Sequence, residues 1–134
     1  MKNKAIIGAI VLVAVFLAGF LPQYVKANRL DNELRQARQG YTSAEIRDLA
    51  GLAYVQANQK NYGIAAGTTA RFFSRVREVA NQTPDSTAKK SLEDLLVSRD
   101  KITAELAKGD AGVMGDLEEL FAKTRQAAGG TGEQ

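Results

Sequence analysis

Residues 62–80 read YGIAAGTTARFFSRVREVA, and the spacing of their apolar side chains decides the fold. Tyr62, Ala65, Thr69, Phe72, Val76 and Val79 recur at alternating intervals of three and four, which lines one face of an α-helix. Ala66, Phe73 and Ala80 widen that stripe, and the pattern predicts a helix over 62–81. Adjacent residues on a helix lie 100° apart, so Phe72 and Phe73 are not expected to point inward together, and one is left to line a groove.

Outward from this helix the same period continues. Upstream, the polar turn 58–61 ends in Asn61, a residue suited to cap the central helix. Before it, Gly40 reads as a helix stop, and Thr42 to Glu45 has the form of a capping box with Tyr41 and Ile46 as its hydrophobic staple. A helix is predicted over 43–57, with Ile46, Leu49, Ala50, Ala53 and Ala57 inward. Downstream, Thr83, Pro84 and Asp85 end the central helix, and Asp85 or Ser86 can cap the next. That next helix is predicted over 87–108, with Ala88, Leu92, Leu95, Ile102 and Leu106 on one face and Arg99 intruding at the seam. Lys89/Glu93, Lys90/Asp94 and Lys101/Glu105 support it as i,i+4 pairs. Gly109 ends it, and Asp110 caps a last helix with Val113, Leu117, Leu120 and Thr124 inward, flanked by Met114 and Phe121. No strand pattern competes. Short loops turn neighbouring helices antiparallel, so residues 42–126 are expected to form a compact four-helix bundle, followed by a disordered tail over 127–134.

The N-terminal part is of another kind. Residues 5–21 hold 17 positions with no charge and no strongly polar side chain, preceded by Lys2 and Lys4 and closed by Pro22. A soluble helix is not apolar on every face over this length, and Tyr24 and Lys26 suit a membrane interface. Residues 1–22 are therefore read as a single-span anchor, with a cleaved signal peptide (small-residue site at 25–27) as the alternative. Residues 23–41 read as an amphipathic stalk helix, with Ala27, Leu30, Leu34, Ala37 and Tyr41 at intervals of three and four. That seam either packs on the following bundle or joins two stalks. The basic tail ahead of the span points to an exported, periplasmic C-terminal part, whereas the positive charges after the span favour a cytoplasmic one.

Charge and composition narrow the function. Of 134 residues with net charge +3, residues 1–41 carry six basic and two acidic side chains, net +4, and residues 42–134 carry net −1. The basic surplus thus flanks the apolar segment and does not form a nucleic-acid face. With neither His nor Cys, triads, cysteine nucleophiles, disulfides and the usual zinc sites are excluded. The carboxylates Glu93/Asp94, Asp100/Glu105 and Asp116/Glu118/Glu119 lack the partners of a di-iron or calcium site. Gly109, Gly112 and Gly115 lack the Gly-Lys-Ser/Thr of a phosphate loop. No cofactor, metal or enzymatic activity is expected.

Two resemblances add to this. Leu52, Ala53 and Tyr54, then Tyr62 and Ala65, with Pro84 beyond, resemble a tetratricopeptide helix pair. The second helix is too long for that family and Pro84 falls about seven residues late for its repeat. The resemblance implies a hairpin used in protein binding. Phe20 to Tyr24 after the span and Arg71 to Arg75 in the central helix resemble small uncharacterised bacterial single-span proteins with a helical domain. The expectation is a non-enzymatic interaction module in a bacterial inner membrane, binding an envelope protein or serving as an accessory subunit of a membrane complex. A self-assembling coiled-coil anchor and a small-ligand or lipid-binding bundle are the alternatives. Its expected contact residues are Leu30 and Leu34 on the stalk and Arg71, Phe72 and Arg75 on the central helix.

Overall fold

A computed structural model describes residues 2–129. Among them the chain is all-helical, without strands: α1 spans Lys2–Asn58, α2 Tyr62–Gln82, α3 Ser86–Leu96, α4 Arg99–Lys108 and α5 Val113–Gly129. The chain divides after Gly40 into two units.

The first unit is the N-terminal part of α1. The side chains described over residues 3–40 are all exposed, the apolar ones included. Phe16 and Phe20, one turn apart, stack with ring centroids 5.4 Å apart. Pro22 lies inside the helix, where it removes one backbone donor without ending it.

The second unit begins at Tyr41 and is organised by α2, which packs against both α3 and α4, while α5 packs against the same two helices. The inward face predicted for 43–57 is buried at every position: Ile46, Leu49, Ala50, Ala53 and Ala57. Their neighbours in the core include Val76, Leu95, Ile102, Leu106, Val113, Leu117 and Leu120. Gly51 lets α1 approach α5 closely, since a Cβ there would stand 3.3 Å from the Phe121 ring.

Several local expectations are corrected. Gly40 does not stop a helix and Thr42 to Glu45 does not start one, because α1 runs through both. A glycine inside a helix costs about 1 kcal/mol, whereas a break leaves several backbone groups without partners at each new end. The Glu45 carboxylate is taken by Arg75 Nε at 2.9 Å. Phe72 and Phe73 are both buried, 0% and 4% exposed, with their rings edge to face at 5.1 Å. A helix packed on one side could not enclose both, but α2 has neighbours on more than one face. The helix predicted over 87–108 is two helices, with a turn at Val97 and Ser98. A straight helix would drive Arg99 into the seam between Leu95 and Ile102; the turn leaves it half-buried, its Nε 2.9 Å from Asp100. The unit therefore holds the end of α1 and four further helices. α5 reaches Gly129, so residues 127–129 are helical, and the rest of the expected tail lies outside the described residues.

The helix ends show which residues set the boundaries. Lys60 adopts a left-handed φ of 62°, and Lys60 N–H and Asn61 N–H donate to the carbonyls of Ala57 and Gln56. Gly109, at φ 64°, ends α4 in the same way, with its N–H and that of Asp110 donating to Leu106 and Glu105. Asp85 caps α3 by accepting from the Thr87 N–H at 2.9 Å. Asp110 accepts from the Gly112 N–H at 2.8 Å ahead of α5. Asn61 makes no side-chain cap; its carbonyl accepts from Ala65 N–H.

The two kinds of glycine should respond oppositely to alanine. Gly40→Ala, in a helical position with open space around it, should stabilise α1 by about 0.5–1 kcal/mol. Gly109→Ala should cost about 1–2 kcal/mol, because φ is positive and Tyr62 Cδ2 already stands 3.4 Å from the new Cβ. Thermal melts of the detergent-solubilised chain followed by circular dichroism check both. A destabilising Gly40→Ala would mean that a helix end lies there after all.

Candidate functional site

The residues expected to carry contacts belong to two different units. Leu30 and Leu34 lie in the first unit, 62% and 50% exposed. Ala27 and Ala37, which share their seam, are exposed too. In the second unit Phe72 belongs to the core and cannot meet a partner while the unit is folded. Arg71 is exposed. Arg75 is half-buried and engaged on two sides, its Nε 2.9 Å from Glu45 on α1 and its Nη1 2.8 Å from Glu78 one turn on. The hydrogen bonds to Glu78 and Glu45 hold its proton more tightly than in an ordinary guanidinium, against a small opposing effect of burial. Arg75 thus ties α2 to α1, and its half-exposed pairs contribute modestly to that contact.

A shallow, open concavity lies along one face of α1 where no site was expected. Tyr41, Ala44, Glu45, Asp48, Leu49 and Leu52 line about 250 Å³ on the second unit. Tyr41 is 75% exposed, and Leu52 and Val55 are also exposed. Leu49 is shared with the core, and the exposed apolar side chains leave α1 away from the stripe formed by Ile46, Ala50, Ala53 and Ala57. That offset was the available signal: apolar residues off the core face of an amphipathic helix. Asp48 places an acid on this face, while the Glu45 carboxylate is paired with Arg75. A volume of this size falls below the usual range for drug-sized ligands, so the concavity suits one or two apolar side chains of a partner.

The second polar cluster joins α4 to α5. Lys101 Nζ lies 2.9 Å from Asp116 Oδ1 and 2.7 Å from its Oδ2, with Glu105 Oε1 3.8 Å away. Lys101 holds the Asp116 carboxyl below the ordinary carboxylate range, with a hydrogen bond from Glu105 adding to the effect. Glu105 is pushed the other way: a hydrogen bond to Asp116 favours its protonated form, and partial desolvation and the Asp116 charge act in the same direction. Among the described residues no group of three or more acidic side chains is arranged to hold a metal ion.

Comparison of the chain with protein-family models, with curated proteins and with solved structures finds no match. Its function is therefore argued from its own residues.

The acid pair carries a pH signature. Asp116, with its lowered folded value, contributes stability above its unfolded pKa, and this is lost as pH falls through the folded value. Glu105, with its raised value, contributes stability below its unfolded pKa, and this is lost as pH rises through the folded value. Glu105→Gln keeps a donor for Asp116 and removes the charge. It should therefore raise the melting temperature at pH 7 and change it little at pH 3. A lower melting temperature at pH 7 would contradict the assignment.

Proposed function

We propose that this chain is a membrane-anchored, non-enzymatic helical interaction module. Residues 1–22 hold it in a bacterial inner membrane by a single span. Its folded part, an antiparallel helical bundle on this reading, faces the periplasm and meets an envelope protein or the other subunits of a membrane complex. The observation that carries the reading is a contrast of environments. α1 contains one stretch long and apolar enough to cross a membrane, none of it buried, while the second unit closes its own apolar core. The first unit has no protein surface of its own against which to bury those side chains, and a bilayer supplies one. Tyr24 and Lys26 stand where interface residues are favoured.

On this reading the exposed α1 face at Tyr41 and Leu52 meets the partner, and the stalk seam at Leu30 and Leu34 is a separate exposed surface. They replace the Arg71, Phe72 and Arg75 face as a unit, and Arg71 alone of those three remains open to a partner. The enzymatic alternative has little support, since the chain lacks every side chain whose ordinary pKa lies near 7.

Affinity purification of the tagged full chain from solubilised membranes tests the proposal. A defined protein should be recovered in stoichiometric amount. Leu52→Glu, at a half-exposed position, should lower that recovery several-fold without changing the melting temperature. Full recovery with Leu52→Glu would remove the proposed surface.

A further inference from the structure

We infer that the stalk seam pairs with a second copy of this chain, parallel and in register. The inference rests on the membrane anchor proposed above and identifies one occupant for the exposed seam.

Placing Ala27 at heptad position a puts Leu30 at d, Leu34 at a and Ala37 at d. The remaining outward positions are all polar: Asn28 and Arg35 at b, Arg29 and Gln36 at c, Asn32 and Gln39 at f. The flanking g positions are Lys26 and Glu33, and the flanking e positions are Asp31 and Arg38. In a parallel coiled coil a g residue faces the e residue five positions later on the other helix. Lys26 then faces Asp31 of the second copy, and Glu33 faces Arg38 of the second copy. Both pairs are of opposite charge, and each occurs twice by symmetry. The seam is complementary to itself, so each copy supplies both halves of the code.

Two physical points favour this occupant. Two anchored copies enter the same leaflet in the same sense, which imposes the parallel arrangement that the charges require. Confinement to the membrane plane also raises the effective concentration of one stalk near another, so a seam of about two heptads suffices where it would fail for free peptides. The charges are available. Lys26, Glu33 and Arg38 enter no ion pair among the described residues. Asp31 has only an exposed contact with Arg35 at 3.5 Å, of a kind that holds little.

The chain has no cysteine, so an introduced one reports without background. Single cysteines are placed in the full chain at Ala27, Leu30, Leu34 and Ala37, and separately at Arg29, Asn32, Gln36 and Gln39. Washed membranes are oxidised and the disulfide-linked product is sized. The first four variants should give a product of twice the chain mass, several-fold more than the second four. On the Leu30→Cys background, Lys26→Asp with Arg38→Glu makes all four flanks acidic and should lower the product several-fold. Adding Asp31→Lys and Glu33→Lys should restore it. A flat profile, a product with a different protein, or no restoration overturns the pairing. Membrane retention is scored in the same samples, so loss of the anchor and loss of pairing are read separately.

Discussion

The structure depends first on ten large apolar side chains that no core encloses. Ile6, Ile7, Ile10, Val11, Leu12, Val13, Val15, Phe16, Leu17 and Phe20 are all more than half exposed. Fully burying such a side chain contributes about 1.5–3 kcal/mol, so ten side chains with more than half of their surface exposed forgo roughly 10–20 kcal/mol in water. The whole net stability of a small domain is about 5–15 kcal/mol. On the membrane proposal, hydrocarbon is the medium in which the segment's hydrogen-bonded backbone and apolar exterior are both satisfied. The membrane proposal rests on this comparison, and the basic residues beside the segment fit it without being needed for it.

The second unit obeys the opposite rule. Most of its inward apolar residues form one enclosed core, its strongest ion pairs tie one helix to the next, and α2 packs on both α3 and α4. Two glycines show how little the local chain decides alone. Gly109 terminates α4 because its left-handed backbone lets two orphan carbonyls accept. Gly40 terminates nothing, since the helix on either side of it continues. Lys60 takes the left-handed position at the end of α1 although a glycine would adopt it at lower cost.

The helix faces were legible in the sequence, and the boundaries less so. Ile46, Leu49, Ala50, Ala53 and Ala57, and Val113, Leu117, Leu120 and Thr124, are buried as their spacing indicated. Asp85 caps α3 as its position indicated, while the Asp110 carboxylate accepts from Gly112 N–H in the turn ahead of α5. The break at Val97 was foreshadowed by Arg99 at a core register, which a helical-period reading notes but does not resolve. The capping box at Thr42 does not form because α1 continues through it, and the Glu45 carboxylate accepts instead from Arg75, a residue 30 positions away that no local pattern displays. The burial of both Phe72 and Phe73 is likewise tertiary: it requires knowing that α2 has neighbours on several sides. Of the expected contact residues, Leu30 and Leu34 stayed exposed, Phe72 became core and Arg75 became a tie between helices. The exposed face at Tyr41 and Leu52 was legible only as apolar residues off the core stripe, since Tyr41 reads as part of the stalk seam and staple and Leu52 as part of a hairpin motif.

The central claim is that residues 5–21 hold the chain in a bilayer. Extraction of membranes with alkaline carbonate, followed by mass measurement of the chain in each fraction, tests it most directly. The account predicts the intact 14.4 kDa chain in the membrane pellet. An intact chain in the supernatant, or a shortened chain lacking its first 27 or so residues, would contradict it.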